Sequence, residues 1–172
     1  MIVRPTTPAD HDAVLTLVMH AFSDTARDGN EEVGIVADTW ARAAAPDGFD
    51  LVAADDGIVV GHILGAWGDL DGRAIVGIAP LAVAPGHQRR GVGTALMTEL
   101  LSHSVRTGLP MVVLLGDPAY YGRFGFEPAG QLGITYRPVG ADNPHFQVRR
   151  LPEYDPSARG DFTYCWERQG PQ

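Results

Sequence analysis

The sequence predicts a single α/β domain over residues 1–172, built as a mixed sheet flanked by helices. Three observations lead to this class. Apolar residues recur at helical spacing in two segments near the N-terminus and again over 91–107. Runs rich in β-branched residues lie between these helical segments. An Asp-Gly pair joins two of the runs and predicts a hairpin. This order of elements is typical of one mixed sheet covered by helices.

Composition agrees with one globular domain and excludes several function classes. The chain has 172 residues, of which 45% are hydrophobic and 20% charged. Its one cysteine, Cys165, rules out an intramolecular disulfide framework and a zinc site built on several cysteines, and we expect no metal. No apolar run is long enough to span a bilayer, and the N-terminus lacks the apolar region of a secretory signal. We therefore expect a cytoplasmic protein that does not act at a membrane.

The N-terminal quarter predicts one strand and two helices. A short edge strand is predicted over 1–4. The first helix starts at Thr7, an N-cap residue followed by a proline, and its apolar positions continue to Phe22. A polar stretch over 23–30 separates it from a second helix, whose apolar positions run over 33–44.

The next segment predicts an antiparallel meander. Strands over 51–55 and 58–67 flank Asp56-Gly57, a strong two-residue hairpin signal. A turn over 68–72 then leads to a third strand over 74–84.

The third strand and the elements after it complete the prediction. Pro80 cannot donate a hydrogen bond to a ladder, and it predicts a bulge or a local splay of its strand. A helix over 91–107 carries the clearest apolar face, and the unbroken apolar run over 111–115 is typical of a buried central strand. The remaining predicted elements are a short helical turn over 117–123 and strands over 146–151 and 162–167.

A polar turn before the clearest helix carries the strongest chemical signal. Gln88-Arg89-Arg90-Gly91-Val92-Gly93-Thr94 opens the helix with two glycines and two arginines. The free N–H groups and the dipole of a helix start favour an anion. Glycine lets the backbone approach a phosphate closely, and arginine adds paired donors. The segment therefore predicts a diphosphate site.

Other phosphate-binding motifs fit the segment less well. A Walker loop is excluded because no Gly-Lys-Ser/Thr occurs. A dinucleotide fingerprint needs a third glycine where Leu96 stands, although Asp117 lies about twenty residues further on, where a ribose-binding acid is expected. Two alternatives to the diphosphate site therefore remain. One is a dinucleotide-binding site, and the other is a tight connection between strand and helix that binds no ligand.

The same residues resemble a known family. Gln88-Arg89-Arg90-Gly91-Val92-Gly93 is similar to the Gln/Arg-x-x-Gly-x-Gly/Ala acetyl-CoA signature of the GNAT superfamily of N-acetyltransferases. Residues 81–83 look like that family's splayed fourth strand, and 121–126 are similar to its Tyr-x-x-x-Gly-Phe segment. The element order resembles the fold across 1–168, and the variant over 116–121 is similar to a largely uncharacterised bacterial branch.

This resemblance implies a GNAT-like mixed sheet with a splayed central strand pair and a role for each site residue. Acetyl-CoA would be the cosubstrate, and a primary amine would attack its thioester directly. The implied cofactor-binding residues are Leu81, Ala82, Val83, Gln88, Arg89, Arg90, Gly91, Val92, Gly93 and Thr94. The N–H of Val83 would also polarise the thioester carbonyl. Tyr121 would be the general acid that protonates the departing thiolate, the alternative being an aromatic that packs under Phe124 and Phe126.

The implied reaction also needs a proton acceptor for the amine. Many family members are thought to use a carboxylate near the fourth strand, but residues 74–81 contain no acid. Glu31, Glu32, His20 and His62 are possible substitutes, and an ordered water is another.

Charge indicates the kind of acceptor. The net charge of −8 argues against nucleic-acid binding. Residues 1–72 hold 13 acids and 3 arginines, a net charge of −10, whereas 73–172 carry a net charge of +2. In the resembling fold the first two helices flank the acceptor side, so we expect a cationic small-molecule or peptide amine. Dimers are common in the family, which allows a homodimer. The alternative function is a catalytically weak CoA-binding regulatory or interaction module.

Overall fold

The computed structural model describes residues 1–23 and 29–167, and the chain folds as two compact units. Unit 1 contains the described residues of Met1–Gly65 and Ala79–His103. Unit 2 contains the described residues of Ala66–Ile78 and Ser104–Gln172. The single domain expected over 1–172 stays a prediction.

The described residues form nine strands and four α-helices, joined by several short 3₁₀ turns. The strands are β1 (Ile2–Pro5), β2 (Asp50–Asp55), β3 (Ile58–Leu70), β4 (Arg73–Val83), β5 (Met111–Leu115), β6 (Glu127–Pro128), β7 (Ile134–Thr135), β8 (Phe146–Arg150) and β9 (Gly160–Tyr164). The helices are α1 (His11–Phe22), α2 (Asn30–Ala41), α3 (Val92–Arg106) and α4 (Pro118–Tyr121). Most strand pairs are antiparallel, and the mixed α/β class predicted from the sequence is confirmed.

In unit 1, strands β1, β2, β3 and the end of β4 lie side by side. β1 pairs with β2 and β2 with β3, both antiparallel, and the second ladder has a bulge at Ala53 and Ala54. Helices α1 and α2 bury their apolar faces against this part of the sheet. The central residues of that core are Val14, Leu17, Val18, Val36, Val52, Leu64 and Ala82. The polar stretch predicted between the two helices lies mostly outside the described residues.

The two hairpin turns use the same chemistry. Asp56 and Gly57 have φ values of 48° and 80°, the left-handed pair that a tight two-residue hairpin needs, and the predicted turn is confirmed. Asp71 and Gly72, with φ values of 48° and 85°, form a second turn of this kind. The turn expected over 68–72 is therefore shorter, and β3 continues to Leu70.

Helix α3 packs directly on strand β3 at Gly61. A Cβ at this position would lie 2.6 Å from Val92 Cγ1 and 2.9 Å from Leu96 Cδ1. Real Cβ atoms do not approach that closely, so the contact requires glycine. The missing side chain at Gly61 lets the first turn of α3 sit against the sheet, with Val92 buried beneath it.

In unit 2, strand β5 lies between β4 and β8. Val76, Gly77 and Ile78 of β4 pair in parallel with Val112, Val113 and Leu114 of β5, and β8 pairs antiparallel on the other side. The ladder ends at Ile78, two residues before Pro80, which has no N–H to donate. This end agrees with the splay predicted from the proline.

An aromatic cluster fills the rest of unit 2. Tyr136, Phe146, Phe162 and Tyr164 lie with ring centroids 4.7 to 6.4 Å apart. Gly77 leaves room for this cluster, because a Cβ there would lie 2.3 Å from Tyr164 Cε1.

Two sequence expectations need correction. The second helix ends at Ala41 and not at residue 44, because Ala43 turns the chain with a φ of 48°. The strand expected over 162–167 runs over Gly160–Tyr164, and a 3₁₀ turn follows it. Glu167 closes this turn by accepting hydrogen bonds from the Tyr164 N–H at 2.8 Å and the Tyr136 hydroxyl at 2.5 Å. The short strands β6 and β7 were not anticipated.

Replacing Gly61 by alanine is expected to destabilise the fold. The new methyl group would overlap the first turn of α3, and overpacking of this kind costs about 1–3 kcal/mol of the free energy of unfolding. Gly34→Ala is the matched control, because Gly34 lies on α2 with no atom within 4 Å of its Cβ position. That change should raise stability by about 0.5–1 kcal/mol. Denaturant unfolding of both variants measures the difference, and equal stabilities would contradict the close contact.

Candidate active site

The end of β4 leads into a compact polar turn. Ala82 is buried in the core of unit 1, whereas its neighbours Leu81 and Val83 are only half-buried. A 3₁₀ turn over Pro85–His87 follows, and the Gln88 side chain donates to the Val83 carbonyl at 3.3 Å. The Ala84 N–H donates to the Val60 carbonyl at 2.9 Å and fixes the turn to β3. The strand end and the turn therefore form one connected piece.

Two residues with left-handed backbone shape the chain before α3. Arg89 has a φ of 60° and Gly91 a φ of 85°. Successive turns of this kind orient backbone N–H groups toward a common point and make anion-binding concavities. Arg89, Arg90 and Gly91 are exposed, and no atom lies within 4 Å of a Cβ built at Gly91. The turn thus has open space on the side that a side chain would fill.

Helix α3 begins immediately after this turn. An i→i−4 hydrogen bond at its start runs from the Ala95 N–H to the Gly91 carbonyl at 2.9 Å. The N–H groups of Val92 and Gly93 come before that bond, in the part of a helix that lacks helical acceptors. The positive end of the helix dipole and two exposed arginines meet at the same place. This arrangement suits an anion such as a diphosphate.

All the residues predicted to bind cofactor, from Leu81 to Thr94, lie together in unit 1. Val92 points its side chain into the core, so only its backbone is available to a ligand. The Gln88 N–H already lies 3.4 Å from the Pro85 carbonyl. Tyr121, the predicted general acid, belongs to unit 2.

Tyr121 ends the short helix α4 that follows strand β5. Asp117 caps this helix: its side chain accepts from the Ala119 N–H at 2.9 Å, and its carbonyl accepts from the Tyr121 N–H at 3.0 Å. The Tyr121 ring packs edge-on against Tyr120 and Phe126, with centroids 4.9 Å and 6.0 Å away. The Tyr121 ring therefore makes packing contacts, as the alternative role of a packed aromatic predicts, and it also carries the hydroxyl that a general acid needs.

Burial raises the pKa of Tyr121 above its usual value, and the nearby Tyr120 and Asp117 add smaller contributions in the same direction. The phenol is therefore protonated throughout the neutral pH range. A protonated hydroxyl is the form that a general acid needs, but the raised pKa also makes the phenol a weaker proton donor.

The residues that hold Tyr121 in place were not found from the sequence. A Cβ at Gly116 would lie 2.2 Å from Tyr121 Cε2, so the ring rests on the glycine itself. Gln147, buried on β8, donates to the Gly116 carbonyl at 3.0 Å. The one sequence signal was a glutamine between Phe146 and Val148 in a predicted strand.

The candidate proton acceptors are placed differently from one another. His62 is fully buried, with Nε2 2.8 Å from Asp50 Oδ1, and its Nδ1 has no partner among the described residues. Burial raises the pKa of Asp50, but hydrogen bonds from His62, Thr6 and Trp40 outweigh it and hold that pKa below its ordinary value. Glu32 is buried, whereas His20 and Glu31 are exposed. The pairing of His62 with Asp50 was not anticipated.

Unit 2 also contains an acidic cleft of about 430 Å³. Its carboxylates belong to Asp69, Asp71, Asp161 and Glu167, and Arg137 lies among them. Asp161 forms an ion pair with Arg137 and accepts a hydrogen bond from the Thr135 hydroxyl. Part of the negative charge of the cleft is therefore neutralised by Arg137. In residues 1–23 and 29–167, no group of three or more His, Cys, Asp or Glu side chains is arranged to hold a metal ion. No helix in the same ranges has the length and apolar character to cross a bilayer.

In this mixed sheet the fourth strand, β4, leads through a left-handed turn at Arg89 and Gly91 into the start of helix α3. The sequence pattern of the acetyltransferase (GNAT) family matches residues 12–126. The chain belongs to that family, and the resemblance seen in the sequence is confirmed.

Individual relatives agree with this assignment. The chain is 36% identical over 157 residues to the uncharacterized N-acetyltransferase YhbS of Escherichia coli. The aligned region covers 88% of this chain and 87% of that protein. The crystal structure of E. coli YhbS in complex with CoA matches with a TM-score of 0.85 and 32% identity, over 98% of this chain and 93% of that one. A GNAT acetyltransferase from Brucella melitensis in complex with acetyl-CoA matches with a TM-score of 0.78 and 30% identity, over 95% and 94% of the two chains.

Proposed function

We propose that the chain transfers the acetyl group of acetyl-CoA to a primary amine by direct attack on the thioester. The observation that carries this proposal is the left-handed turn at Arg89 and Gly91, which opens α3 beside free space. Two of the similar structures hold CoA or acetyl-CoA, which supports the same cosubstrate here.

The cosubstrate would be held mainly by backbone groups. The N–H groups between Arg89 and Gly93 would bind the pyrophosphate, with Arg89 and Arg90 as counter-charges. The half-buried end of β4, at Leu81 and Val83, would pair with the pantetheine arm as an added strand. The Val83 N–H would then polarise the thioester carbonyl.

Proton movements complete the reaction. A C–N bond forms as the amine attacks the carbonyl carbon, and the C–S bond breaks. An amine with a pKa of about 10.4 is only ~0.04% neutral at pH 7, so a base or a water must take its proton. Tyr121 would donate its hydroxyl proton to the departing sulfur and regain one from solvent.

The acceptor is proposed to be a cationic amine, either a small molecule or a peptide. Support comes from the net charge of −10 over residues 1–72, the segment that includes α1 and α2. A surplus of carboxylates concentrates cations and repels anionic substrates. A CoA-binding module with little turnover is the second candidate, favoured by the absence of any acid over residues 74–81 of β4.

An amine panel tests transfer and acceptor charge together. Purified protein is mixed with acetyl-CoA and one amine at a time, and CoA thiol release is followed with mass spectrometry of the product. We expect release with diamines and with peptides of positive charge, and little with amines of net negative charge. A reaction without amine corrects for hydrolysis. Turnover of anionic amines alone would contradict the acceptor proposal, and CoA binding without any release would favour the module.

Tyr121→Phe tests the general acid, because it keeps the ring and removes only the hydroxyl. A proton donor typically contributes 10²–10⁴-fold, and since a thiolate leaves fairly well we expect kcat to fall by about 10². CoA affinity and Tm should change little. Burial keeps the phenol protonated, so its ionisation should remove no activity below pH 10 in the parent enzyme.

Tyr120→Phe is the control for this change. Tyr120 is half-buried beside Tyr121, and its ring faces the Arg123 guanidinium at 4.1 Å. Its loss of a hydroxyl should leave kcat near the parent value. A Tyr121→Phe enzyme with the parent rate, when chemistry limits turnover, would assign the proton to another donor.

A further inference from the structure

The position of the Tyr121 hydroxyl depends on what its ring rests on. The Cε2 side of the ring lies against Gly116, where a Cβ would be 2.2 Å from Cε2, 2.8 Å from Cδ2 and 3.2 Å from Cζ. Gly116 is the last residue before the Asp117 cap, so it sits between strand β5 and helix α4. A shift of Gly116 would move the surface on which the ring lies.

Three hydrogen bonds hold Gly116 to the beginning of β8. The Gly116 N–H donates to the His145 carbonyl at 2.9 Å. The Gly116 carbonyl accepts from the Gln147 side chain at 3.0 Å and from His145 Nδ1 at 3.1 Å. Both backbone groups of Gly116 are therefore tied to one short segment of unit 2.

Gln147 is the buried member of this set. It is 1% exposed, while His145 is exposed to solvent. Its Nε2 also donates to the His145 carbonyl at 3.4 Å. Because both partners are carbonyl oxygens, only the amide nitrogen of Gln147 satisfies them, and this fixes which way the side chain points.

Gln147 lies opposite apolar residues of the two neighbouring strands. It pairs with Leu114 on β5 and with Pro128 on β6. Burying an amide costs free energy that only good hydrogen bonds offset. A hydrophobic side chain would fill this position without that cost, so the amide has a use beyond filling space.

We propose that Gln147 is a positioning residue for the transfer reaction: its amide fixes the Gly116 carbonyl, and Gly116 sets where the Tyr121 hydroxyl lies. This inference rests on the proposed role of Tyr121 as the general acid. Small displacements of a reacting group cost large factors in rate, so the amide should act on kcat and not on cofactor binding.

A double-mutant cycle tests the inference. Gln147→Leu keeps the volume and removes both donors, and we expect its kcat to fall about tenfold with CoA affinity unchanged. In a Tyr121→Phe background the same change should lower kcat by less than about twofold, because no hydroxyl is left to position. Equal losses in both backgrounds would mean a merely structural role and would overturn the inference.

Val148→Ala is the control for lost stability. Val148 is the next residue on β8, is fully buried, and pairs with Val113 of β5. It should lower Tm at least as much as Gln147→Leu, yet leave kcat near the parent value below the unfolding range.

A second variant covers the case in which Gln147→Leu does not fold. Gly116→Ala places a methyl group against the Tyr121 ring and leaves the hydrogen bonds of Gly116 available. Its kcat should fall about tenfold, whereas Gly122→Ala, which meets no atom within 4 Å, should not change it. Unchanged kcat in Gly116→Ala would overturn the inference.

The outcomes separate the two proposals. If Tyr121→Phe is slow but Gln147→Leu is as fast as the parent, only the positioning role fails. If Tyr121→Phe is as fast as the parent, the general acid fails and the positioning role fails with it. Acetyl transfer itself would be unaffected by either result.

Discussion

Helix α3 lies so close to strand β3 that no side chain fits between them at Gly61. Val92 and Leu96 occupy the space that a Cβ would take, and both are buried. The first turn of the helix is thus fixed against the sheet by close packing and not by polar contacts. Since interiors are packed to the density of organic crystals, the helix start has little freedom to shift.

That constraint gives the turn before α3 its chemical character. Val92 is held against the sheet, and the chain reaches it through Arg89 and Gly91, which have left-handed backbone. The N–H groups of Arg89 and Gly91 precede the hydrogen-bonded turns of α3. Preorganised donors of this kind bind an anion without paying to reorganise. Unit 2 uses the same device for a different purpose, because Gly116 lets the Tyr121 ring rest directly on the backbone. In both units a missing side chain places the group expected to do chemistry.

Patterns in adjacent residues predicted much of this structure. They could not predict contacts between residues that are distant in sequence. Asp56-Gly57 and the run Met111–Leu115 were found because turn chemistry and continuous apolarity are written in adjacent residues. The predicted phosphate-binding segment over 88–94 is also a run of adjacent residues, and its role stays a prediction. Other features depend on residues that are far apart in sequence. They are the close contacts at Gly61 and Gly116, the hydrogen bond of the Gln147 amide and the His62–Asp50 pair. The two-residue strands β6 and β7 are too short to show any periodicity.

Calorimetric titration of CoA into two glycine variants tests most directly whether the start of α3 is the cosubstrate site. Gly91→Val and Gly108→Val change exposed glycines near the two ends of α3, with φ values of 85° and 73° and no atom within 4 Å of the new Cβ. Backbone strain is therefore similar in both variants. We expect CoA binding at least about tenfold weaker in Gly91→Val and unchanged in Gly108→Val. Equal affinity in both folded variants would show that CoA does not bind at the start of α3.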